Sequence, residues 1–268
     1  RYPLFYITTN EEPRLTTFLD HYRRANGYEC FIWDTYHGLI NLENSQEVTT
    51  STVLKNDAVA ILDHIINEAK SYEKKKEAVS EKNKDGCNGI IFVLLDYFRF
   101  IQENPDIERR LKAISRLNSI ACTICVGPYY QATDVLQNIM PVIDFPFANR
   151  QEIRNALYHV IKGLEKKIPN IVKKTKKMEE ELINAVSGLS LSEAQTAFSV
   201  SLVSEHGWDI PLILKEKKQL ISKTGMLDYF DKPVSMDDVG GLKNLVNWIK
   251  NRKRCFSHEA EEYGLKKP

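Results

Sequence analysis

Long hydrophobic runs are missing from this sequence. The longest, Ile90 to Leu95, suits one buried strand and falls far short of the ~20 residues that a membrane-crossing helix needs. Neither sign of charge prevails: 37 Lys and Arg stand against 36 Asp and Glu, a net +1, so no global field draws the chain toward nucleic acid or a membrane surface. Cysteine is scarce and odd in number, five in 268 residues, which argues against a disulfide framework. The close pair Cys122-Thr123-Ile124-Cys125 sits in an apolar run that reads as a strand. There, i and i+3 face opposite sides and cannot pinch a metal, and no second pair completes a site. No charged-then-apolar leader opens the chain, although Arg1 is not a natural start, so a cytoplasmic setting is expected. The phosphate-loop pattern G-x-x-x-x-G-K-[ST] occurs nowhere.

What is present is the composition of a globular protein, 43% hydrophobic and 27% charged, with a length suited to one large or two small domains. Leu4 to Thr8 reads as a strand, and Thr9-Asn10-Glu11-Glu12-Pro13 as a helix start with Asn10 as cap. The helix runs to about Ala25 with Leu15, Phe18, Leu19 and Tyr22 on one face, and Gly27 ends it. Tyr28 to Trp33 is a second strand, so the order strand, helix, strand points to a parallel α/β sheet. Val53 to Tyr72 has helical spacing, and Lys74 to Asp85 reads as an exposed, mobile loop. Ile90 to Leu95 is the central strand. Ile107 to Leu117 follows as a helix opened by Asn104-Pro105-Asp106, then a strand from Ile120 to Val126, a short helix from Asp134 and a last strand from Pro141 to Phe145. After Pro146 only helices are expected: Arg150 to Lys166, Ile171 to Ser187, one opened by Ser190-Leu191-Ser192-Glu193, and Pro211 to Lys223. The expected domains are therefore an α/β part at 1–148, a helical part at 149–230 and a linker with a first helix at 231–268.

A parallel sheet followed by a four-helix lid resembles the layout of an AAA+ ATPase module, so each catalytic element has an expected place. After the first strand a phosphate loop needs glycines and a Lys. Thr8-Thr9-Asn10-Glu11-Glu12-Pro13-Arg14 offers neither, and supplies two carboxylates and a Pro. After the central strand two acids would hold Mg²⁺ and orient water. Here Asp96 takes the metal-side position, while Tyr97 replaces the second acid and cannot serve as a base near neutral pH. The following strand ends Cys125-Val126-Gly127-Pro128, without a polar sensor. Ligands approach such sheets at the C-terminal strand ends, which makes Asp34, Asp96 and Tyr97 the candidate lining of a vestigial cleft.

The last stretch carries the strongest resemblance. Asp237-Asp238-Val239-Gly240-Gly241-Leu242, a helix to Arg254, and Tyr263-Gly264-Leu265 before Pro268 resemble the lead-in that wraps the adenine side of an AAA+ motor. Three further segments join it: Leu94-Leu95-Asp96-Tyr97-Phe98, Gly188-Leu189-Ser190-Leu191-Ser192-Glu193-Ala194, and Leu214 to Ile221 with Thr224-Gly225-Met226-Leu227. Together they resemble the N-terminal half of the AAA+ family named hypothetical chloroplast reading frame forty-six, shared by algal plastids and cyanobacteria. The resemblance implies a degenerate AAA+-like fold with no catalytic residue and no cofactor of its own. It implies an adjoining AAA+ domain after Pro268 that binds ATP and Mg²⁺, a hexamer of the full-length protein, and a plastid stroma if the gene is plastid-encoded. The function this implies is a non-catalytic platform for assembly, regulation or recruitment.

Two other classes remain open. One is an unconventional nucleotide sensor around Asp96. The other is a nucleic-acid-binding domain using Lys166 to Lys177, a run with six lysines but no aromatic for stacking, followed by Glu179-Glu180-Glu181. Asn251-Arg252-Lys253-Arg254 reads as a cationic helix end, Trp208 as an anchor of a helix turn, and the six scattered histidines suggest no metal site.

Overall fold

The computed structural model describes residues 2–44, 46–48, 55–78, 88–102, 104–117, 121–130, 133–163, 168, 170–205, 207–223, 240–253, 255, 260 and 263–264. Residues Arg1–Leu214 form one compact unit and Lys215–Pro268 a second. The strands are β1 Leu4–Thr8, β2 Tyr28–Asp34, β3 Gly38–Asn41, β4 Gln46–Glu47, β5 Gly89–Leu94, β6 Ala121–Gly127 and β7 Val142–Asp144. The helices are α1 Glu12–Asn26, α2 Ala58–Ala78, α3 Phe98–Ile101, α4 Pro105–Ser115, α5 Asp134–Gln137, α6 Arg150–Lys162, α7 Ile171–Val186, α8 Leu191–Glu205, α9 Ile210–Lys223 and α10 Lys243–Lys253.

The seven strands lie in the order β4-β3-β2-β5-β6-β1-β7. Every pairing from β2 across to β7 is parallel, and the antiparallel β3–β4 hairpin extends the β2 edge. The sequence pattern did not indicate that hairpin, whose strands are four and two residues long. The chain leaves β1 toward β2 and later returns to its other side as β7. The strand order therefore reverses at β1, and its C-terminal end is where a ligand of such a sheet is expected.

Alternation along the strands sends side chains to opposite faces. Leu4, Tyr6, Trp33, Phe92, Leu94 and Cys125 pack with α2, α3, α4 and α5. Ile7, Cys30, Ile91, Val93, Ile124 and Val126 pack with Leu15 and Leu19 of α1. Cys122 packs against this second cluster while Cys125 lies in the first, so the two thiols face apart as strand geometry requires. Phe18 and Tyr22, expected with Leu15 and Leu19 on a buried face, keep 54% and 44% of their surface exposed.

Local starts and stops explain the boundaries. Asn10 does not cap α1: Glu11 holds the N-cap position, and the Glu11 N–H donates to Thr9 Oγ1 at 2.9 Å. Gly27, at φ 65°, ends α1 where a side chain would be strained. Asn104 caps α4 by accepting from the N–H groups of Asp106 and Ile107. Asp57 does the same for α2 toward Val59 and Ala60. That helix continues to Ala78, which corrects the loop reading from Lys74 onward: the added residues are strong helix formers. Residues 79–85 of that stretch lie outside the described residues.

In the helical part, Asn149 and Glu152 form a capping box at α6, and Ser190 with Glu193 forms the expected one at α8. Trp208 anchors the α8–α9 turn, donating from Nε1 to Thr175 Oγ1 at 2.8 Å with its ring against Phe198. In the second unit, Gly241 at φ 77° precedes α10, none of whose residues is buried. Asp237, Asp238 and Val239 lie outside the described residues. Among the described residues no helix is long and apolar enough to cross a membrane.

Candidate functional site

The turn from β1 into α1 is where phosphates would sit in a nucleotide-binding sheet. Two of its N–H donors are engaged by the chain itself. The Thr9 N–H donates to Gly127 O at 2.9 Å, and the Glu11 N–H to Thr9 Oγ1. The Thr8 hydroxyl bonds Asp144 across to β7. Glu11 turns its carboxylate toward the helical part: Oε1 accepts the Leu191 N–H at 2.6 Å, at the first residue of α8. Its other oxygen pairs with Arg14 Nη1.

Arg14 stands at the centre of this network. Its Nε donates to Glu152 Oε1 at 3.1 Å, its Nη2 donates to the Pro146 carbonyl, and its guanidinium lies 4.5 Å from the centroid of the Phe145 ring. Glu152 also accepts the Asn149 N–H at 2.8 Å at the start of α6. The N-termini of α1, α6 and α8 thus meet on one Glu–Arg–Glu set, each supplied with the negative charge that helix N-termini favour. The Arg14 and Glu11 side chains are only 10% and 11% exposed, so this pair is far better sheltered than a surface ion pair.

The remaining strand ends carry acids. Asp34 closes β2 by accepting from the N–H groups of Tyr36 and His37 and pairing with His37 Nδ1 at 2.8 Å. Partial burial opposes its charge, but those His37 and Tyr36 bonds prevail and hold its carboxyl below the ordinary value. Asp96 follows β5 in the left-handed region at φ 53°, exposed, with no side-chain hydrogen bond among the described residues. Burial first, then the charges of Asp96 and Asp34, raise the Glu12 carboxyl above its ordinary value. The charges of Asp34 and Asp96 therefore reach Glu12 at the mouth of the strand ends.

Tyr97 does not line that mouth, which corrects its sequence assignment. It is fully buried on the opposite face against Trp33 and Phe100, and its hydroxyl donates to the Ala58 carbonyl. Burial raises its pKa far above the usual phenol range. Position 127, where a sensor would stand, has no room for a side chain: a Cβ there would lie 2.6 Å from Phe98, and the Tyr6 hydroxyl is closer still. These residues do not fit a nucleoside triphosphate. The loop has no glycine, its cation is bound to two carboxylates, and three more acids face the opening.

Elsewhere, Lys173, Lys174, Lys176 and Lys177 are exposed on α7, while Lys166 and Lys167 lie outside the described residues. Just beyond them, Glu179 and Glu180 pair with Arg154 and Arg150. Arg252 lies 4.1 Å over the Trp248 ring of α10. Among the described residues no group of three His, Cys, Asp or Glu could hold a metal ion. Sequence reading missed the parts played by Glu11, Arg14 and Glu152. The Asn149-x-x-Glu152 capping pattern was a usable signal, but nothing local linked Glu11 to Leu191, 180 residues away.

Comparison with known proteins gives two family matches. The model for the N-terminal domain of SpoVK-like AAA ATPases matches residues 1–145, and that for their second domain matches residues 151–224. The chain is 28% identical over 275 residues to the AAA domain-containing protein ycf46 of Trieres chinensis, covering 100% of this chain and 50% of that protein. It is 31% identical over 183 residues to the protein of the same name from Gracilaria tenuistipitata var. liui, covering 66% of this chain and 36% of that one. The chain spans about half the length of the curated relatives it matches. Among solved structures, Rhizobiales Trip13 matches with a TM-score of 0.48 at 12% identity, covering 86% of this chain and 76% of that one. Drosophila ORC bound to DNA matches with a TM-score of 0.43 at 12% identity, covering 88% and 65%.

Proposed function

Because this chain belongs to the SpoVK-like AAA ATPase family, we propose that it is a non-catalytic AAA+-like platform that stands before an ATP-hydrolysing motor in the whole protein. One observation carries the reading. Where a bound nucleotide would bridge sheet and lid, Glu11, Arg14 and Glu152 bridge them, from the β1–α1 turn to the starts of α6 and α8. Such a platform keeps one shape through the motor's cycle and serves assembly, regulation or recruitment of a partner. ATP and Mg²⁺ act in the adjoining domain, and a hexameric ring is the assembly in which the platform would be held.

The lead-in fits this role. Gly240 and Gly241 precede α10, whose Leu245 and Trp248 are exposed, and the helix offers that apolar surface to the motor domain that follows. On this reading the Asp237-Asp238-Val239-Gly240-Gly241 sequence belongs to the adenine side of that domain.

The test measures ATP turnover and sedimentation of the 268-residue chain with and without Mg-ATP. The platform reading expects no turnover above the buffer blank and an unchanged sedimentation coefficient. Turnover, or assembly driven by nucleotide, would overturn it.

A further inference from the structure

Parallel strands are ordinarily covered on both faces. Among the described residues α1 is the one helix packed on one face, and beside it lies a cavity of about 670 Å³. That is within the roughly 300–1,000 Å³ of small-molecule sites. Phe5, Ile124 and Ile143 line its strand side, and Phe145 and Phe147 line the segment that leaves β7. Along the α1 side the rings of Phe18, Tyr22 and Tyr28 form a ladder. Phe18 and Tyr22 are 6.4 Å apart at 20°, and Tyr22 and Tyr28 are 5.9 Å apart at 6°. Phe145 meets Phe18 edge-on at 6.1 Å.

The chemistry of the wall narrows the occupant. Among the described residues its one cation, Arg14, is already held by two carboxylates, Glu11 and Glu152, so the cavity presents no free cation to an anionic ligand. The hydroxyls of Tyr22 and Tyr28 make no hydrogen bond among the described residues, which leaves donors at one edge of an otherwise apolar space. Parallel rings held at stacking distance favour a flat aromatic body over a branched aliphatic one. We propose that this cavity binds an uncharged, planar aryl ligand of small-molecule size, lying against the Phe18–Tyr22–Tyr28 ladder with a polar edge toward a tyrosine hydroxyl. The site is separate from the strand-end mouth and does not depend on nucleotide.

The test is a fluorescence titration of the 268-residue chain with N-phenyl-1-naphthylamine, followed in parallel by methyl spectra of isoleucine-labelled protein. Saturable binding of one probe per chain is expected, with ring-current shifts at Ile124 and Ile143. A Phe18→Ala/Tyr22→Ala double variant should weaken binding at least about tenfold, from the loss of two ring contacts. Both side chains are about half exposed, and an unchanged melting curve would show that the fold persists. Ile143→Trp, at another exposed position, should fill the cavity and abolish binding. The anionic analogue 8-anilinonaphthalene-1-sulfonate should bind more weakly than the neutral probe. Non-saturable or multi-site binding, unchanged affinity in the double variant, or tighter binding of the sulfonate would each overturn the proposal.

Discussion

At the strand ends, the turn between β1 and α1 is tied into the lid, whereas the mouth beside it is left with acids that repel one another. Glu11 and Glu12 are consecutive, yet the first accepts from Leu191 and pairs with Arg14, while the second meets the charges of Asp96 and Asp34. In a phosphate-binding turn both positions would serve an anion through backbone N–H groups. Here Glu11 is tied into an internal strut, and Glu12 faces an opening lined with acids. On the function proposed above, this strut holds sheet and lid together where a nucleotide would otherwise bridge them.

The comparison is broken most severely at Arg14. Arg14→Ala leaves Glu11 sheltered and unpaired, and should lower stability by about 3 kcal/mol in urea unfolding, as for other sheltered charges stripped of their partner. Glu11→Ala should come close to that loss. Glu11→Gln keeps an oxygen for the Leu191 N–H and should recover part of it, leaving a deficit of about 1 kcal/mol. If Gln and Ala behaved alike, the Leu191 bond would have no part in the strut.

On the mouth side the effects are smaller and differ in sign. Asp34→Asn should cost about 0.5–1 kcal/mol at pH 7 through the turn bonds of Tyr36 and His37. Because the Asp34 carboxyl is held below its ordinary ~3.9, its contribution is present above that value and fades as pH falls through the lower folded one. Glu12→Gln should stabilise slightly, by about a few tenths of a kcal/mol after solvent screening. The folded Glu12 carboxyl lies above its ordinary ~4.3, so its penalty grows as pH rises through that raised value and is absent well below 4.3. At neutral pH the melting temperatures of the two variants should therefore lie on opposite sides of the parent's, and both differences should shrink as the pH is lowered through the carboxylate range.

Much of the scaffold was legible because its signals are local and periodic. The apolar strands, Gly27, the Asn104 cap and the Ser190–Glu193 box each follow from a few adjacent residues. The parallel sheet followed by helices was legible from their order. The β3–β4 hairpin was not, since strands of four and two residues carry no measurable alternation. Tyr97 was assigned to the mouth from its place after β5, but the backbone turns at Asp96 with a positive φ and sends the next side chain into the core. Phe18 and Tyr22 fit a helical apolar stripe, yet among the described residues no helix or strand covers that part of the stripe. The Glu11–Arg14–Glu152 strut depends on residues brought together only by the tertiary fold.

The account rests on the strand-end turn having exchanged a nucleotide for an internal strut. Calorimetric titration of the 268-residue chain with Mg-ATP and Mg-ADP tests it most directly. The prediction is no heat of binding at concentrations that would reveal a ~100 μM site. Stoichiometric binding that is weakened in Asp96→Ala and strengthened in Arg14→Ala would contradict it, because it would show a working pocket that the strut only competes with.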